Sequence, residues 1–403
     1  MICFDPATPE FGENPWPAYA ALRNQPGLFR YEPFGGWLAA RFADVQAIVT
    51  DRRMVRSPAA FLPPDQVRAM QRAANFHDMP YHERFVQTSM LEIDGPDHDR
   101  LRRAVFPYFT RTRLESLRPA IAATADALIR DLIPRGQIDF VQDLAADLPG
   151  RIIGRLIGTP DADSRQMTQW SEDVVSYFDI DRTAEKKERA ERATRLFHDY
   201  LADLRAERIA RPRDDLMTAL IGAESRGELR GDELIASVMQ ILHAGHGSTI
   251  DVLGSGLHAL LTHPDQMARL RADPALMPTA VQEMFRWAAP LPFFHRYASV
   301  DLTVAGRDWA RGTKFAVLYA SANRDPAAFP DPDRFDIARN PNRHIAFGGG
   351  PHVCLGNNLS RMNMEAIFAS LIAQTRRIDL AGPVEWKTGL QAHGPISLPI
   401  RLN

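Results

Sequence analysis

Two long stretches of the chain place apolar and polar residues at the spacing of an α-helix. Between residues 184 and 210, apolar residues recur every three or four positions, and lysines, arginines and glutamates fill the opposite face. The stretch 232–262 is apolar on most sides and lies between a candidate capping residue, Asp232, and Pro264. The first pattern predicts an amphipathic helix whose charges form a solvated face, and the second predicts a long, largely buried helix.

Shorter apolar runs predict a small amount of β-structure. Residues 29–31 and 37–40 flank Gly35-Gly36 and indicate a hairpin. Further strands are expected around 297–304, 314–318 and 396–402, and another helix at 357–374. The fold class expected from these patterns is mainly α with small β-sheets.

Composition narrows the class of protein. The 403 residues contain no Ser/Gly linker and no internal repeat, so we expect one domain over 1–403. A formal net charge of −2 argues against nucleic acid as a partner. The N-terminus has no apolar run long enough for a membrane anchor or a signal peptide, which predicts a soluble protein without a membrane partner. Cys3 and Cys354 are too few for a disulfide framework, which indicates a reducing, cytoplasmic location.

Cys354 lies in a glycine-rich loop, His344-Ile-Ala-Phe-Gly-Gly-Gly-Pro-His-Val-Cys-Leu-Gly356, just before the predicted helix 357–374. Glycines allow a flat ligand to approach the backbone, and the free N–H groups at a helix start favour a negatively charged sulfur. A thiolate held there is a candidate metal ligand. An inert, buried thiol is the alternative for an isolated cysteine.

The spacing of four residues in this loop favours the metal ligand over the inert thiol. Phe347, Gly350, Cys354 and Gly356 resemble the heme-binding signature of the cytochrome P450 family. The resemblance implies the α-rich P450 fold, heme b as cofactor, and Cys354 as the axial ligand of the iron. Phe347 and Gly356 would contact the heme, and His352 would contact one of its propionates.

The middle of the predicted buried helix also resembles this family. Ala244-Gly-His-Gly-Ser-Thr249 is similar to the oxygen-binding groove, in which Ala244 would contact the heme and the hydroxyls of Ser248 and Thr249 would take part in catalysis. Gly247 stands where the family usually has an acid, so an ordinary proton delivery route is in question. Two glycines in a helix interior predict local loosening, and close packing of a neighbouring helix over small residues is the alternative. His246 is either a substitute proton carrier or a core histidine.

Three further matches extend the resemblance. His98 and Arg102 share one helical face and are candidates for one propionate, and Arg296 matches a further propionate ligand of the family. Glu283 and Arg286 match the family's Glu-x-x-Arg pair. Arg334 matches the arginine that joins it in a buried ionic network bracing the cysteine loop.

The resemblance also suggests partners and a pocket. Nothing follows Asn403, so no fused reductase is expected; a separate ferredoxin or flavodoxin and its NAD(P)H reductase would supply electrons. An acidic partner would dock on the arginine-rich segment 100–118. The pocket residues expected by position are Leu91, Ile241, Phe293 and Phe294, which suit a hydrophobic small molecule, although core packing explains them equally well.

The expected function is a heme-thiolate monooxygenase that activates O2 and oxidises a small organic substrate. Because Gly247 lacks the acid, a peroxide-driven or atypical reaction, such as C–C bond formation or dehydration, is the first alternative. A heme-binding sensor without turnover is the second. A cysteine hydrolase that uses Cys354 with His352 is disfavoured, because two residues this close on a tight loop point in different directions.

Overall fold

The computed structural model describes residues 4–403, so Cys3 lies outside the described residues. Helices account for most of the regular structure. The α-helices of the described part are, in chain order, α1 (Pro9–Glu13), α2 (Trp16–Arg23), α3 (Phe42–Thr50), α4 (Pro64–Ala73), α5 (Gly95–Val105), α6 (Arg111–Glu115), α7 (Arg118–Leu132), α8 (Leu148–Ile157), α9 (Ser164–Ser176), α10 (Ala184–Ala210), α11 (Leu216–Ser225), α12 (Glu233–Thr262), α13 (Pro264–Ala272), α14 (Met277–Trp287), α15 (Tyr319–Ala322) and α16 (Asn357–Gln374). Short 3-10 or π turns occupy Glu32–Phe34, Pro58–Ala60, His82–Val86, Phe106–Phe109, Ile133–Arg135, Phe140–Ala145, Asp161–Asp163, Pro274–Leu276 and Gly350–His352.

The strands are short and form small sheets. They are β1 (Phe29–Tyr31), β2 (Gly36–Ala39), β3 (Met54–Val55), β4 (Gln137–Asp139), β5 (Phe293–Ala298), β6 (Leu302–Val304), β7 (Arg307–Trp309), β8 (Lys314–Leu318), β9 (Ile378–Leu380), β10 (Glu385–Trp386), β11 (Pro395–Ser397) and β12 (Pro399–Leu402). One sheet has the order β1-β2-β8-β5-β3, in which only β2 and β8 run parallel. A three-stranded sheet β4-β12-β9 and the pairs β6-β7 and β10-β11 complete the β-structure. The predicted mainly α class with small sheets is confirmed.

Helix α12 runs through the largest hydrophobic core and contacts α8, α9 and α14. The predicted local loosening is wrong, because the helix continues without interruption through Gly245 and Gly247. At Gly245 a Cβ atom would lie 3.3 Å from the Ile153 side chain of α8. Close packing against a neighbouring helix therefore offsets the cost of this glycine in the helix interior.

The loop that carries Cys354 packs against the C-terminal end of α3. Gly350 has a φ of 64°, and a Cβ atom there would lie 2.2 Å from the carbonyl oxygen of Val49. Both the backbone conformation and the close approach exclude a larger residue. The glycine-rich sequence therefore fixes the loop against the body of the protein, with its cysteine just before α16.

A buried ionic network holds the segment before this loop. Arg286 donates to both carboxylate oxygens of Glu283, at 2.7 and 2.8 Å, and both side chains are fully buried. The prediction that the Arg334 side chain joins them is wrong. That side chain is 63% exposed and reaches only Asp336, at 3.9 Å. Arg339 takes its place, with Nε 3.2 Å from Glu283 Oε2.

Arg334 contributes its backbone instead. Its carbonyl oxygen accepts hydrogen bonds from Arg286 at 3.2 Å and from Arg339 at 2.9 Å. Asn342 also donates to Glu283, at 3.0 Å. The network thus ties α14 to the irregular chain that leads to the cysteine loop.

None of the helices formed by residues 4–403 combines the length and the apolar character needed to cross a membrane.

Candidate active site

A cavity of about 660 Å³ lies between α12 and the cysteine loop. Residues of α9, α12, β5 and the start of α16 also line it. Most of its walls are apolar, and charged side chains enter at a few places. The cavity brings together Cys354 and the Ala244–Thr249 stretch of α12, which lie about a hundred residues apart in the chain.

Two hydrogen bonds hold Cys354, one through its backbone N–H and one through its sulfur. Its N–H donates to the carbonyl oxygen of Phe347 at 2.9 Å, and the N–H of Gly356 donates to the sulfur. Burial raises the pKa of the Cys354 thiol; the Gly356 N–H and the nearby Arg102 and Arg361 guanidinium groups act in the opposite direction. The protein alone therefore favours the thiol, and a bound metal ion would favour the thiolate.

Helix α12 turns small residues and hydroxyls toward the cavity. Ala244, Gly247, Ser248 and Thr249 all line it. The Ser248 hydroxyl donates to the Ala244 carbonyl oxygen one turn earlier, at 3.1 Å, and the Thr249 hydroxyl lies 3.1 Å from that of Ser360 on α16. A Cβ atom added at Gly247 would meet nothing within 4 Å. This wall is open enough for a flat ligand or a small molecule beside the Ser248 hydroxyl.

His246 does not belong to this wall. It is fully buried, its Nδ1 lies 2.5 Å from the carbonyl oxygen of Leu242, and it is absent from the residues that line the cavity. Burial lowers the pKa of His246 to about 4, so the ring is neutral near pH 7. Of the two alternatives given by the sequence, the geometry favours the core histidine over the proton carrier.

The cavity has a basic wall formed by the predicted propionate ligands. Arg102 and His98 reach it from α5, Arg296 from β5, and His352 from the cysteine loop. Arg296 is 3% exposed, and only its Nη1 has a partner among residues 4–403, the carbonyl oxygen of His295 at 2.8 Å. A buried guanidinium group with unused donors beside a cavity is suited to bind an anion.

Asp94, which the sequence analysis missed, positions His352. The Nε2 of His352 lies 3.0 Å from Asp94 Oδ1, and the other oxygen accepts the N–H groups of Arg56 and Ser57, both at 2.8 Å. Burial lowers the pKa of His352 to about 4, although Asp94 acts in the opposite direction. The ring therefore donates Nε2–H to Asp94 in its neutral form. No spacing in the sequence indicates this pair, because its members are 258 residues apart.

Arg361 was also missed. It lies in the second turn of α16, with its guanidinium carbon 4.4 Å from the centre of the Phe347 ring, and donates to Asn357 at 2.6 Å. Phe347 in turn packs against Phe285, with ring centres 4.5 Å apart. The signal available in the sequence was the four-residue interval from Asn357 to Arg361 in the predicted helix 357–374, which places both side chains on one helical face.

Of the four predicted pocket residues, three line the cavity: Leu91, Ile241 and Phe294. The prediction for Phe293 is wrong. Its side chain is 4% exposed and packs in a separate core cluster against Phe34. Successive side chains of a strand point to opposite faces, so on β5 only one of two neighbouring phenylalanines can face the cavity.

The residues present fit a heme group. The chain offers a thiol as axial ligand, a basic wall for two propionates, small residues on α12 and aromatic side chains beside the loop. Phe347 and Gly356 line the same cavity as Cys354. The unused donors of Arg296 are the observation that most favours an anionic group at this wall.

Comparisons with known proteins agree with this geometry. The sequence model of the family "Cytochrome P450" matches residues 162–376. The chain is similar to the polyketide biosynthesis cytochrome P450 PksS of Bacillus subtilis (strain 168), with 32% identity over 100% of this chain and 99% of that protein. It is 36% identical to the mycinamicin IV hydroxylase/epoxidase of Micromonospora griseorubida, covering 95% and 94% of the two chains.

A solved structure is also similar. P450BioI, in complex with an acyl carrier protein ligated to hexadec-9Z-enoic acid, superposes with a TM-score of 0.90 at 28% identity, covering 98% of this chain and 100% of that one.

Proposed function

Because the chain belongs to the cytochrome P450 family and is a heme b monooxygenase, we propose that it oxidises a small, largely apolar organic substrate with O2 and electrons from separate redox partners. The single observation that carries this proposal is the meeting of Cys354 with the Ser248 hydroxyl and apolar side chains around one cavity. Such a cavity holds the cofactor and a substrate next to each other.

The heme, when bound, supplies activation of O2 at an iron atom held by a thiolate. Cys354 would provide that thiolate, and His98, Arg102, Arg296 and His352 would bind the propionates. The neutral His352 ring already donates Nε2–H to Asp94, so it would donate to a propionate from Nδ1 only after gaining a proton, which the negative charge of the propionate favours. Each of the four lines the cavity wall, which supports this assignment. The charge on the propionates would neutralise a wall that otherwise carries unpaired cations.

The remaining wall would bind and orient the substrate. Leu91, Ile241 and Phe294 would give the substrate an apolar surface in the cavity that Ser248 also lines, and the Ser248 hydroxyl supplies a hydrogen-bond donor and acceptor there. Ser248 would hold a proton at its Oγ atom, and Thr249 would fix the helix against α16 through its contact with Ser360. Gly247 contributes space rather than a carboxylate.

The test is the absorbance spectrum of the purified protein, reduced and exposed to carbon monoxide. We expect the strongly red-shifted Soret band of a thiolate-ligated heme, and we expect its loss in Cys354→Ala. Cys3→Ala is the matched control, because it removes the only other cysteine and should leave the band in place. A retained band in Cys354→Ala, or a band typical of histidine ligation in the parent protein, would contradict the proposal.

Electrons would come from a ferredoxin or flavodoxin and its NAD(P)H reductase, docked beside the cysteine loop. Three arginines of segment 100–118 are already paired with carboxylates, namely Arg100 with Asp97 and Glu233, Arg113 with Asp214, and Arg118 with Glu115 and Glu365. Arg102 turns inward and donates to the Val353 carbonyl oxygen at 2.7 Å. The exposed arginines of the segment without a carboxylate partner among residues 4–403 are Arg103 and Arg111; the segment also exposes Phe106, and the cysteine loop exposes Val353, at 50% and 38%.

This smaller surface gives a sharp test of the docking site. Arg103→Glu with Arg111→Glu should slow reduction by an acidic ferredoxin at low ionic strength, because it reverses two charges. The matched control reverses two exposed arginines of α10, Arg192→Glu with Arg195→Glu. Equal rates for the two double variants would argue against docking at this surface.

Gly247 favours one second candidate, an atypical or peroxide-driven reaction, because no carboxylate is available at that position. Hydrogen peroxide would then support product formation at least as well as NAD(P)H with redox partners. The sensor without turnover predicts neither a substrate-induced change of the iron spin state nor NAD(P)H consumption, and either result would exclude it. The predictions of one domain over 1–403 and of no fused reductase stay predictions.

A further inference from the structure

Six charged residues line the cavity besides the basic wall and besides Arg56, which pairs with Glu92. They lie on α9, α10 and α12 and in the segments that follow α9 and β10, and they are Glu172, Asp179, Lys186, Arg189, Asp251 and Lys387. Neither the cofactor site nor the apolar wall accounts for them. Charged groups at an otherwise apolar pocket fix the orientation of a ligand, so their pairing decides which ligand charge the pocket accepts.

Each cation of this set already has a carboxylate partner. Lys387 donates to Asp251 at 2.6 Å. Lys186 lies 3.1 Å from Asp181, and Arg189 lies 3.2 Å from Asp173. None of the three is therefore available as an unpaired cation for an anionic ligand.

Among the carboxylates, Glu172 differs from the others. Asp179 accepts backbone N–H groups from Ile180, Leu390 and Gln391, and Asp251 accepts Lys387. Glu172 has no hydrogen bond and no ion pair with any of residues 4–403, although its side chain is exposed within the cavity. It is the one carboxylate of the set without a partner in the described chain.

The position of Glu172 is set by its helix. Ser171, Val175 and Ser176, on the same face of α9, line the cavity as well. The surrounding protein raises the pKa of Glu172, because burial outweighs the attraction of Lys387. The carboxylate faces the cavity without a partner among residues 4–403, so a ligand that enters the cavity can supply a donor or a positive charge.

The neighbouring ion pair does not neutralise Glu172. Asp251 is 1% exposed, and Lys387 bonds to only one of its oxygens. The charges that act on Glu172 are those of Lys387, Asp251, Asp173 and Arg189, so three carboxylates, Glu172 included, face two cations and leave a formal charge of −1. The field at this part of the cavity therefore attracts a cation and repels a carboxylate.

We propose that Glu172 binds a positively charged ammonium group of the substrate, so that the substrates of the monooxygenase proposed above are small apolar amines. The apolar residues Ile241, Val175 and Phe294 bind the hydrocarbon part of the same molecule. A metal cation does not explain the site, because no group of three metal-ligating side chains exists among residues 4–403. An ammonium group satisfies one carboxylate with a charge-assisted hydrogen bond or ion pair.

The experiment compares three probes with one eight-carbon chain: octyltrimethylammonium, octanoate and 1-octanol. A quaternary ammonium group cannot ligate iron, so a spin-state change reports binding in the pocket. Affinity is measured on the heme-loaded protein by titration calorimetry and by the Soret shift. The variants are Glu172→Gln, which removes the charge at nearly constant size, and Glu188→Gln, which makes the same change at an exposed glutamate of α10 outside the cavity.

We expect the parent protein to bind octyltrimethylammonium at least about tenfold more tightly than octanoate, and we expect Glu172→Gln to lose about tenfold for the ammonium probe alone. Glu188→Gln should bind like the parent. Equal affinity for the charged probes, or equal behaviour of the two variants, would overturn the assignment. The calorimetric result does not depend on the axial ligand. A normal carbon monoxide spectrum without ammonium preference therefore removes this inference alone, and an abnormal spectrum removes the proposed function.

Discussion

Arg339 places its Nε 3.2 Å from the carboxylate of Glu283, and Arg286 holds the same carboxylate through two hydrogen bonds. Glu283 is fully buried, and its charge is compensated by these two guanidinium groups, by the amide of Asn342 at 3.0 Å and by the backbone N–H of Asp336 at 2.9 Å. The pair spans 56 residues of chain and fixes the segment that leads into the cysteine loop. The stability of that loop therefore depends on a contact far from the cofactor.

Arg339→Met should destabilise the protein by about 2 to 4 kcal/mol, because it leaves a buried carboxylate with one cation fewer. Urea unfolding followed by tryptophan fluorescence measures the free energy, and the ratio of heme absorbance to protein absorbance measures cofactor retention. We expect both to fall together, since the network holds the loop that carries Cys354.

Arg334→Met is the control for this prediction. The Arg334 side chain is 63% exposed, and its contribution to the network is a backbone carbonyl group that the substitution keeps. The expected change is within about 0.5 kcal/mol. If Arg334→Met proved as damaging as Arg339→Met, the arrangement of the two arginines described above would be wrong.

The two neighbouring phenylalanines of β5 should respond differently to truncation. Phe293→Ala is expected to cost about 3 to 5 kcal/mol in the free energy of unfolding, because the ring is buried in a closed core cluster. Phe294→Ala removes a ring that faces the cavity under Arg56, whose guanidinium carbon lies 4.7 Å from the ring centre. It should cost less stability and weaken the binding of 1-octanol. Urea unfolding and calorimetry separate the two effects, and a reversed order would place the wrong ring in the pocket.

Gly247→Glu should improve the use of electrons. The added side chain has open space, since a Cβ atom at this position meets nothing within 4 Å. A carboxylate next to the Ser248 hydroxyl would hold a proton where the chain now has none. We expect more product, and less released hydrogen peroxide, per NAD(P)H consumed.

Gly247→Ala separates proton delivery from helix stability. It should stabilise α12 by about 0.5 to 1 kcal/mol through helix propensity alone, without changing the peroxide yield. If Gly247→Glu left the peroxide yield unchanged or raised it, protons would reach the site by a route that does not need an acid at this position.

Lys314 should lower the stability of the protein near neutral pH. Burial, and to a smaller extent repulsion from Arg182, lowers its pKa from 10.5 to about 8 in the folded protein. Between these two values the unfolded chain binds more protons than the folded one, so stability rises with pH. Lys314→Met should therefore be more stable than the parent by about 1 to 2 kcal/mol near pH 7.

The advantage of Lys314→Met should shrink as the pH rises from about 8 to about 10.5, where the parent lysine loses its charge. At higher pH the variant lacks only the bond from Lys314 to the Phe34 carbonyl oxygen, at 3.1 Å. Urea unfolding at several pH values measures the difference. A difference that does not change with pH would show that the buried charge is not its cause.

Local patterns were sufficient to predict the helices α10, α12 and α16. The apolar period of 3.6 residues and the flanking Asp232 and Pro264 place α12 within one residue of its actual start. The mainly α class follows from the same signal. The run of glycines before α16 also indicated a tightly packed loop. In the structure Gly350 has the positive φ and the close approach to Val49 that other residues do not permit.

Local patterns could not predict which distant segments of the chain come into contact. Arg334 and Arg339 both lie in the segment before the loop, and the sequence does not show which side chain turns toward Glu283. Asp94 meets His352 across 258 residues. The face of β5 that meets the cavity depends on the pairing of that strand with β8, which turns Phe294 inward and Phe293 away.

Residue type and spacing along the chain established the helices, the fold class and the loop with its one cysteine, because propensity, periodicity and glycine geometry act over a few residues. Chain packing established which charges are paired. Lys387 and Asp251 are 136 residues apart, and their contact is what leaves Glu172 without a partner among residues 4–403. Such compensation is a property of distances in space, since the energy between two charges falls with their separation and not with their interval in the sequence.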